Sequence, residues 1–191
     1  TELKESNEKI KEINIKLHEK NSELAETQFK IIQFVAECLG SHDLFTGRHV
    51  MHTQKYVEVI SIELMKLGHY ENELTPKDIH LFKNAAFLHD IGMFIRGADH
   101  QLHSQYIILH SDIFGLTKDD MQIVSLVAKY HRGKGPDQND PNYSSLPRTE
   151  RITVAKLAAI LRVADALDRS HSQKELKISP KILDDSLILR I

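Results

Sequence analysis

Residues 85–92 read Ala-Ala-Phe-Leu-His-Asp-Ile-Gly, an apolar helical run that delivers two ionisable side chains, His89 and Asp90, just before a helix-ending glycine. A fold that buries this segment must give both of them partners, because an unpaired buried charge is costly. A lone histidine in such a place is more often a hydrogen-bonded core residue than a ligand. The adjoining carboxylate changes the balance, since imidazole nitrogen and carboxylate oxygen together form the mixed donor set that Mn, Fe, Zn and Mg sites use. Two more positions share the pattern. His49 follows Thr46-Gly47-Arg48 in a helical segment, and Asp165 stands in Leu161-Arg162-Val163-Ala164-Asp165-Ala166-Leu167, a carboxylate among apolar neighbours. His103 and His131 bracket the helix pair that precedes a long loop, with His100, three residues before His103, as a rival on the same helical face.

The chain around these residues is patterned as helix. Apolar periodicity predicts helices over 46–67, closed by Gly68, and from Thr75-Pro76 to Gly92, with further helices over 103–110, 117–131 and 149–167. Residues 132–147 hold three Pro and two Gly and read as one irregular loop. Glu175 to Ile178 and Ser186 to Ile191 alternate around Asp184-Asp185 and predict two short strands. Upstream, Leu3, Ile10, Leu17, Leu24 and Ile31 recur every seven residues in a Gly- and Pro-free stretch, with Asn7, Asn14, Asn21 and Gln28 at the companion core position. This is the signature of a weak, in-register, parallel two-stranded coiled coil. The expected organisation is a coiled-coil or linker helix over 1–35, a helical domain over 36–175 and the start of a short β segment over 176–191, truncated at its end. The first residue falls mid-pattern without an initiator Met, which leaves room for a sensory domain upstream.

With 25 Lys and Arg against 27 Asp and Glu, the net charge of −2 gives no electrostatic case for nucleic acid or a membrane surface. The longest apolar runs fall well short of the roughly 20 residues a membrane span needs. The single cysteine, Cys38, excludes an internal disulfide, reads as a small buried side chain, and fits a reducing, cytoplasmic compartment.

The order His49, His89-Asp90, Asp165 resembles the H...HD...D pattern of the HD phosphohydrolase superfamily, over about residues 40–175. Within it, AAFLHDIGMFIRGADHQLHSQYIIL, YHRG and LAAILRVADALDRSH are similar to the C-terminal HD domain of the exopolyphosphatase/guanosine pentaphosphate phosphohydrolase family. The opening segment SHDLFTGRHVMHTQKYV looks more like HD-GYP domains, which hydrolyse cyclic di-GMP. The resemblance implies an all-α HD-domain helical bundle, with the N-terminal coiled-coil helix and the C-terminal β-hairpin as additions. It implies one or two divalent ions held by His49, His89, Asp90, His103, His131 and Asp165, with Asp90 bridging and His89-Asp90 the catalytic pair. Two departures weigh against cyclic di-GMP. Met93 replaces the lysine of HD-GYP domains, and the later loop reads His131-Arg132-Gly133-Lys134-Gly135-Pro136 with no GYP triplet. Phe45 stands where three-metal members carry a glutamate, so no third ion is expected. The exopolyphosphatase family carries its own catalysis in an actin-like domain upstream of the HD segment, and nothing in these residues resembles one.

In the enzyme reading, metal-activated hydroxide attacks a phosphate ester or anhydride of a nucleotide or polyphosphate. Arg132, Lys134, Arg48 and Arg162 are the candidates to bind its phosphate oxygens. The alternative is a non-catalytic module that binds such a ligand and signals through the coiled coil as a homodimer. Sedimentation of the chain at micromolar concentration should show a dimer that is lost when residues 1–35 are removed; a monomer in the full chain removes the coiled-coil reading.

Overall fold

The computed structural model of the protein describes residues 2–38, 47–66, 75–113, 115–169, 178–183 and 186–190. Phe45, Gly68, Asp184-Asp185 and the Glu175–Lys177 part of the expected first strand lie outside the described residues, as do the side chains of Cys38 and Arg48.

Helix α1 (Glu2–Cys38) carries the heptad, and Ile10, Leu17, Leu24 and Ile31 are between 44% and 57% exposed in the single chain. The bundle begins with α2 (Gly47–Lys66), whose buried Val50, Thr53, Tyr56, Val57 and Ile60 form one inward stripe of helical period. His49 heads that stripe. Helix α3 (Pro76–Leu88) opens on a capping box in which Asp78 N–H donates to Thr75 Oγ1 (3.2 Å) and Thr75 N–H donates to Asp78 (2.8 Å). Such a cap contributes about 1 kcal/mol. Thr117 and Asp120 repeat it at the start of α5 (Lys118–Tyr130). This helix is buried on nearly every side, packed between α3, α4 (His100–Leu109) and α7 (Arg148–Leu167), while α2 lies against α3 and α7. The buried stripe of α7 runs Val154, Leu157, Ala158, Leu161, Ala164 and ends in two carboxylates, Asp165 and Asp168, where apolar residues would otherwise continue it.

Four boundaries differ from the sequence expectation, each for a physical reason. Helix α3 stops at Leu88 rather than running to Gly92, and residues 91–94 form a 3-10 turn. The carbonyls the helix would use next are taken by side chains: His89 Nδ1 lies 2.8 Å from Ala86 O, and Ser104 Oγ donates to His89 O at 2.6 Å. Helix α4 starts at His100, not His103, because Asp99 adopts a left-handed φ of 57° and turns the chain early. The stretch 132–147 contains a short helix, α6 (Pro141–Ser144), capped by Asp140 and seating Tyr143 and Leu146 in the core. Finally, the first strand is β1 (Ser179–Leu183), with Ile178 preceding it. Leu183 pairs with Ser186 at the head of β2 (Ser186–Arg190), so the partner strand must be the five residues ending at Leu183.

The 132–147 segment is tied down at several points. Asp140 accepts from Lys129 Nζ (2.6 Å) and Tyr130 OH (2.5 Å), and Arg162 Nη1 donates to Gly133 O (3.1 Å) and Tyr130 O (3.4 Å). The 3-10 turn is tied to α4 just as closely. Gly92 N–H donates to Ser104 Oγ (2.9 Å), and a methyl group on Gly92 would collide with His100 O and Ser104 N.

Two outcomes follow from these contacts. Gly92→Ala should push α4 off the His89-Asp90 turn and cost about 1–3 kcal/mol in urea unfolding; unchanged stability would show that the close approach is dispensable. Burial alone would raise the Asp140 carboxyl, but the bonds from Lys129 and Tyr130 outweigh it and hold the group below its ordinary value of 3.8. A carboxylate depressed in the folded state stabilises above its unfolded pKa and loses that contribution as pH falls through the folded one. Asp140→Asn should therefore cost about 1–2 kcal/mol at pH 7, and the gap to wild type should start to narrow as pH falls below about 4. A gap that stays constant down to pH 3 would sink this account.

Candidate metal centre

The ends of α3 and α5, the starts of α2 and α4, and the end of α7 meet at one buried point. The first ligand-like cluster holds His49, His89, Asp90 and Asp165, with one donor atom from each lying within 4.8 Å of all the others. Asp90 Oδ2 is 3.4 Å from His89 Nε2 and 3.9 Å from His49 Nε2. Asp165 Oδ1 is 3.5 Å from His49 Nε2 and 3.8 Å from His89 Nε2. The second cluster holds Asp90, His100 and His131. Asp90 Oδ1 is 3.1 Å from His100 Nε2 and 3.4 Å from His131 Nε2, and the two imidazole nitrogens are 3.2 Å apart. Asp90 thus turns one oxygen to each group.

The histidines are held in a common way. The Nδ1 of His89, His100 and His131 each faces the carbonyl three residues earlier, on Ala86, Gly97 and Ala128. His89 and His131 are helix C-caps, so Ala86 and Ala128 are among the last carbonyls of their helices, which have no intrahelical partner. A carbonyl only accepts, so each Nδ1 carries the proton and, in the neutral ring, each Nε2 presents a lone pair. Lone pairs from several imidazoles and two carboxylates therefore converge, and His89 Nε2 and Asp90 Oδ1 are buried without a hydrogen bond. Such an arrangement calls for a cation or protons at its centre, and the mixed nitrogen and oxygen set fits a divalent transition metal.

The electrostatics agree. Burial alone would raise Asp90, but His89 beside it, then His100 and His131, hold it well below the usual carboxylate range. Asp165 is likewise held down against burial, by His49 and His89. Burial would lower His89, yet Asp90 and Asp165 raise it to about 10. His100 is raised by Asp90 against burial, whereas burial prevails at His131 and lowers it. Both carboxylates are held in the anionic form at neutral pH, and a metal ion would have to compete with protons for the same imidazole atoms.

Of the six expected ligands, the structure brings together His49, His89, Asp90, His131 and Asp165. His103 does not join them: it lies half-buried on α4, and His100, its rival at i−3, occupies the place instead. The four expected phosphate-binding cations divide. Arg132 Nε is 3.8 Å from Asp165 Oδ2 with its side chain 42% exposed, so it stands at the solvent edge of the first cluster. Lys134 is exposed nearby in sequence, the Arg162 Nη1 group is engaged in bracing the 130–133 carbonyls, and the Arg48 side chain lies outside the described residues. Asp168, one turn beyond Asp165, lies beside the centre as well: its Oδ2 is 2.8 Å from His49 Nδ1 and its Oδ1 3.0 Å from His52 Nδ1. Among the described residues no helix is long and apolar enough to cross a membrane.

Residues 49–191 match the family model described as Ppx/GppA phosphatase, domain III. Two proteins of Vibrio cholerae serotype O1 are similar over a shorter stretch. A probable cyclic di-GMP phosphodiesterase is 36% identical over 70 residues, and a cyclic di-GMP phosphodiesterase is 34% identical over 71 residues. Each alignment takes in 37% of this chain, and the chain spans only 16% and 14% of the length of those relatives. The family match covers about three quarters of the chain and takes in every residue of both clusters, and the chain belongs to the Ppx/GppA phosphatase domain III family, a phosphohydrolase fold of HD type with a buried His/Asp centre.

Proposed function

We propose that this domain is a divalent-metal-dependent phosphohydrolase that cleaves a phosphate ester or anhydride, in a nucleotide or in polyphosphate. The observation that carries this reading is the single carboxylate of Asp90 set between two groups of imidazole nitrogens, one oxygen to each. His49, His89, Asp90 and Asp165 would hold one ion, and Asp90, His100 and His131 a second. Ions bound there polarise a phosphoryl oxygen and lower the pKa of water, which lets hydrolysis proceed without a protein nucleophile. The chain's own residues supply the rest. Asp90 and Asp165 stay ionised at neutral pH and keep the centre attractive to cations. Carbonyl-anchored Nδ1–H groups keep the imidazoles aimed. Arg132, half exposed beside Asp165, would neutralise a phosphate oxygen at the edge of the centre, with Lys134 two residues on.

The names of the two Vibrio relatives make a cyclic dinucleotide the second substrate class to test, although Met93 and the absent GYP triplet weigh against it. A sensor role is the other alternative. The open heptad seam of α1 supports pairing with a second copy, which would carry a binding signal to whatever adjoins that helix. A cytoplasmic location goes with this reading, as a one-cysteine chain draws nothing from an oxidising compartment.

Purified protein loaded with Mn, Fe, Zn or Mg should release phosphate or a nucleoside monophosphate from at least one of nucleotides, polyphosphate and cyclic dinucleotides, and Asp90→Ala should lower turnover at least a hundredfold. Absence of turnover with full ion occupancy and a folded chain would falsify the enzyme reading; thermal stabilisation by one of these compounds without product would support the sensor.

A further inference from the structure

His89, His100 and His131 each turn Nδ1 to a neutral backbone carbonyl three residues earlier, whereas the Nδ1 of His49 faces a carboxylate. His49 lies in the first turn of α2, and its Nδ1 faces the buried carboxylate of Asp168 at 2.8 Å. Asp168 is 3% exposed and follows Asp165 by three residues, so the two carboxylates lie on one face of the end of α7. They take opposite edges of the same ring: Asp165 Oδ1 stands 3.5 Å from His49 Nε2, and Asp168 holds Nδ1. The other oxygen of Asp168 is occupied by His52 Nδ1 at 3.0 Å, which fixes the rotation of the carboxylate.

We infer that Asp168 is a positioning residue for the metal centre: it holds His49 in the Nδ1–H tautomer, aims Nε2 at the first cluster, and makes this imidazole a stronger donor than its carbonyl-anchored companions. The inference rests on the metal-binding reading above. The chemistry is general, because a ligating imidazole whose remote N–H meets a carboxylate gains basicity and loses rotational freedom. An ionised acceptor also binds that N–H more strongly than a neutral carbonyl does. Removing Asp168 takes away the carboxylate that holds His49 Nδ1 at 2.8 Å, and with it this restraint on the tautomer and aim of the ring.

The test uses the full chain and zinc as the probe, with affinity measured by competition against a chromophoric chelator. Asp168→Asn keeps the shape, loses the charge and accepts from only one of the two imidazoles; Asp168→Ala removes the acceptor. Zinc affinity should fall in the order wild type, Asn, Ala, by about 10–100-fold at the end of the series. Long-range proton–nitrogen correlation of the imidazoles should show His49 locked as Nδ1–H in the wild type and losing that signature in the variants. A merely structural role for Asp168 would leave the signature in place. If Asp168→Ala does not fold, the isosteric Asp168→Asn decides. Wild-type zinc affinity in a folded variant, or an unchanged His49 tautomer, overturns the positioning role alone. A wild-type chain that takes up no zinc overturns the metal reading and this inference together.

Discussion

Everything in the bundle is arranged around the carboxylate of Asp90. Moving such a group from water to a buried position costs several kcal/mol unless strong partners meet it. Here the partners are imidazoles from four different places: the first turn of α2, the turn after α3, the start of α4 and the end of α5. The helices are therefore assembled with their ends, rather than their middles, against this group. The C-terminal ends of α3 and α5 suit the task because their free carbonyls orient the rings of His89 and His131 at no cost to the helix. The apolar packing of Tyr56, Phe82, Leu126, Leu157 and Leu161 behind the centre stabilises the bundle enough to hold so many polar groups together.

Much of this was legible in the residues themselves. His49, His89-Asp90, His131 and Asp165 each interrupt an apolar helical stripe, and polar atoms at such positions need a reason. The capping threonines and the long periodic helices were equally readable, because both signals are local. The choice between His100 and His103 was not. They share a helical face, and which one faces Asp90 depends on where α4 begins. That is set by the left-handed turn at Asp99 and by the packing of Gly92 onto the helix, neither of which leaves a periodic trace. The role of Arg162 was hidden for a similar reason, since only the tertiary structure brings its guanidinium under the carbonyls of Tyr130 and Gly133. The 132–147 stretch shows a different failure: its proline and glycine content obscured Asp140-Pro141, itself an ordinary helix start.

The family match and the geometry carry different parts of the account. The match places the chain among HD-type phosphohydrolases, and the geometry explains why that fold presents a cation-seeking centre at all. Arg132, with its side chain 42% exposed at the solvent edge of the first cluster, lies outside the buried set that the helices position.

The donor atoms are scattered along the chain from His49 to Asp165, on five separate elements. No partly folded form that lacks one of those elements assembles both clusters, so ions filling the two together would favour only the finished bundle. A ligand exclusive to the folded state adds about 4 kcal/mol when it stands a thousandfold above its Kd. Set against the roughly 5–15 kcal/mol by which domains are usually stable, that is a large share. Metal supply would then govern more than the rate of a reaction: it would set how much of the protein survives in a cell, with ion-starved chains the first to be degraded.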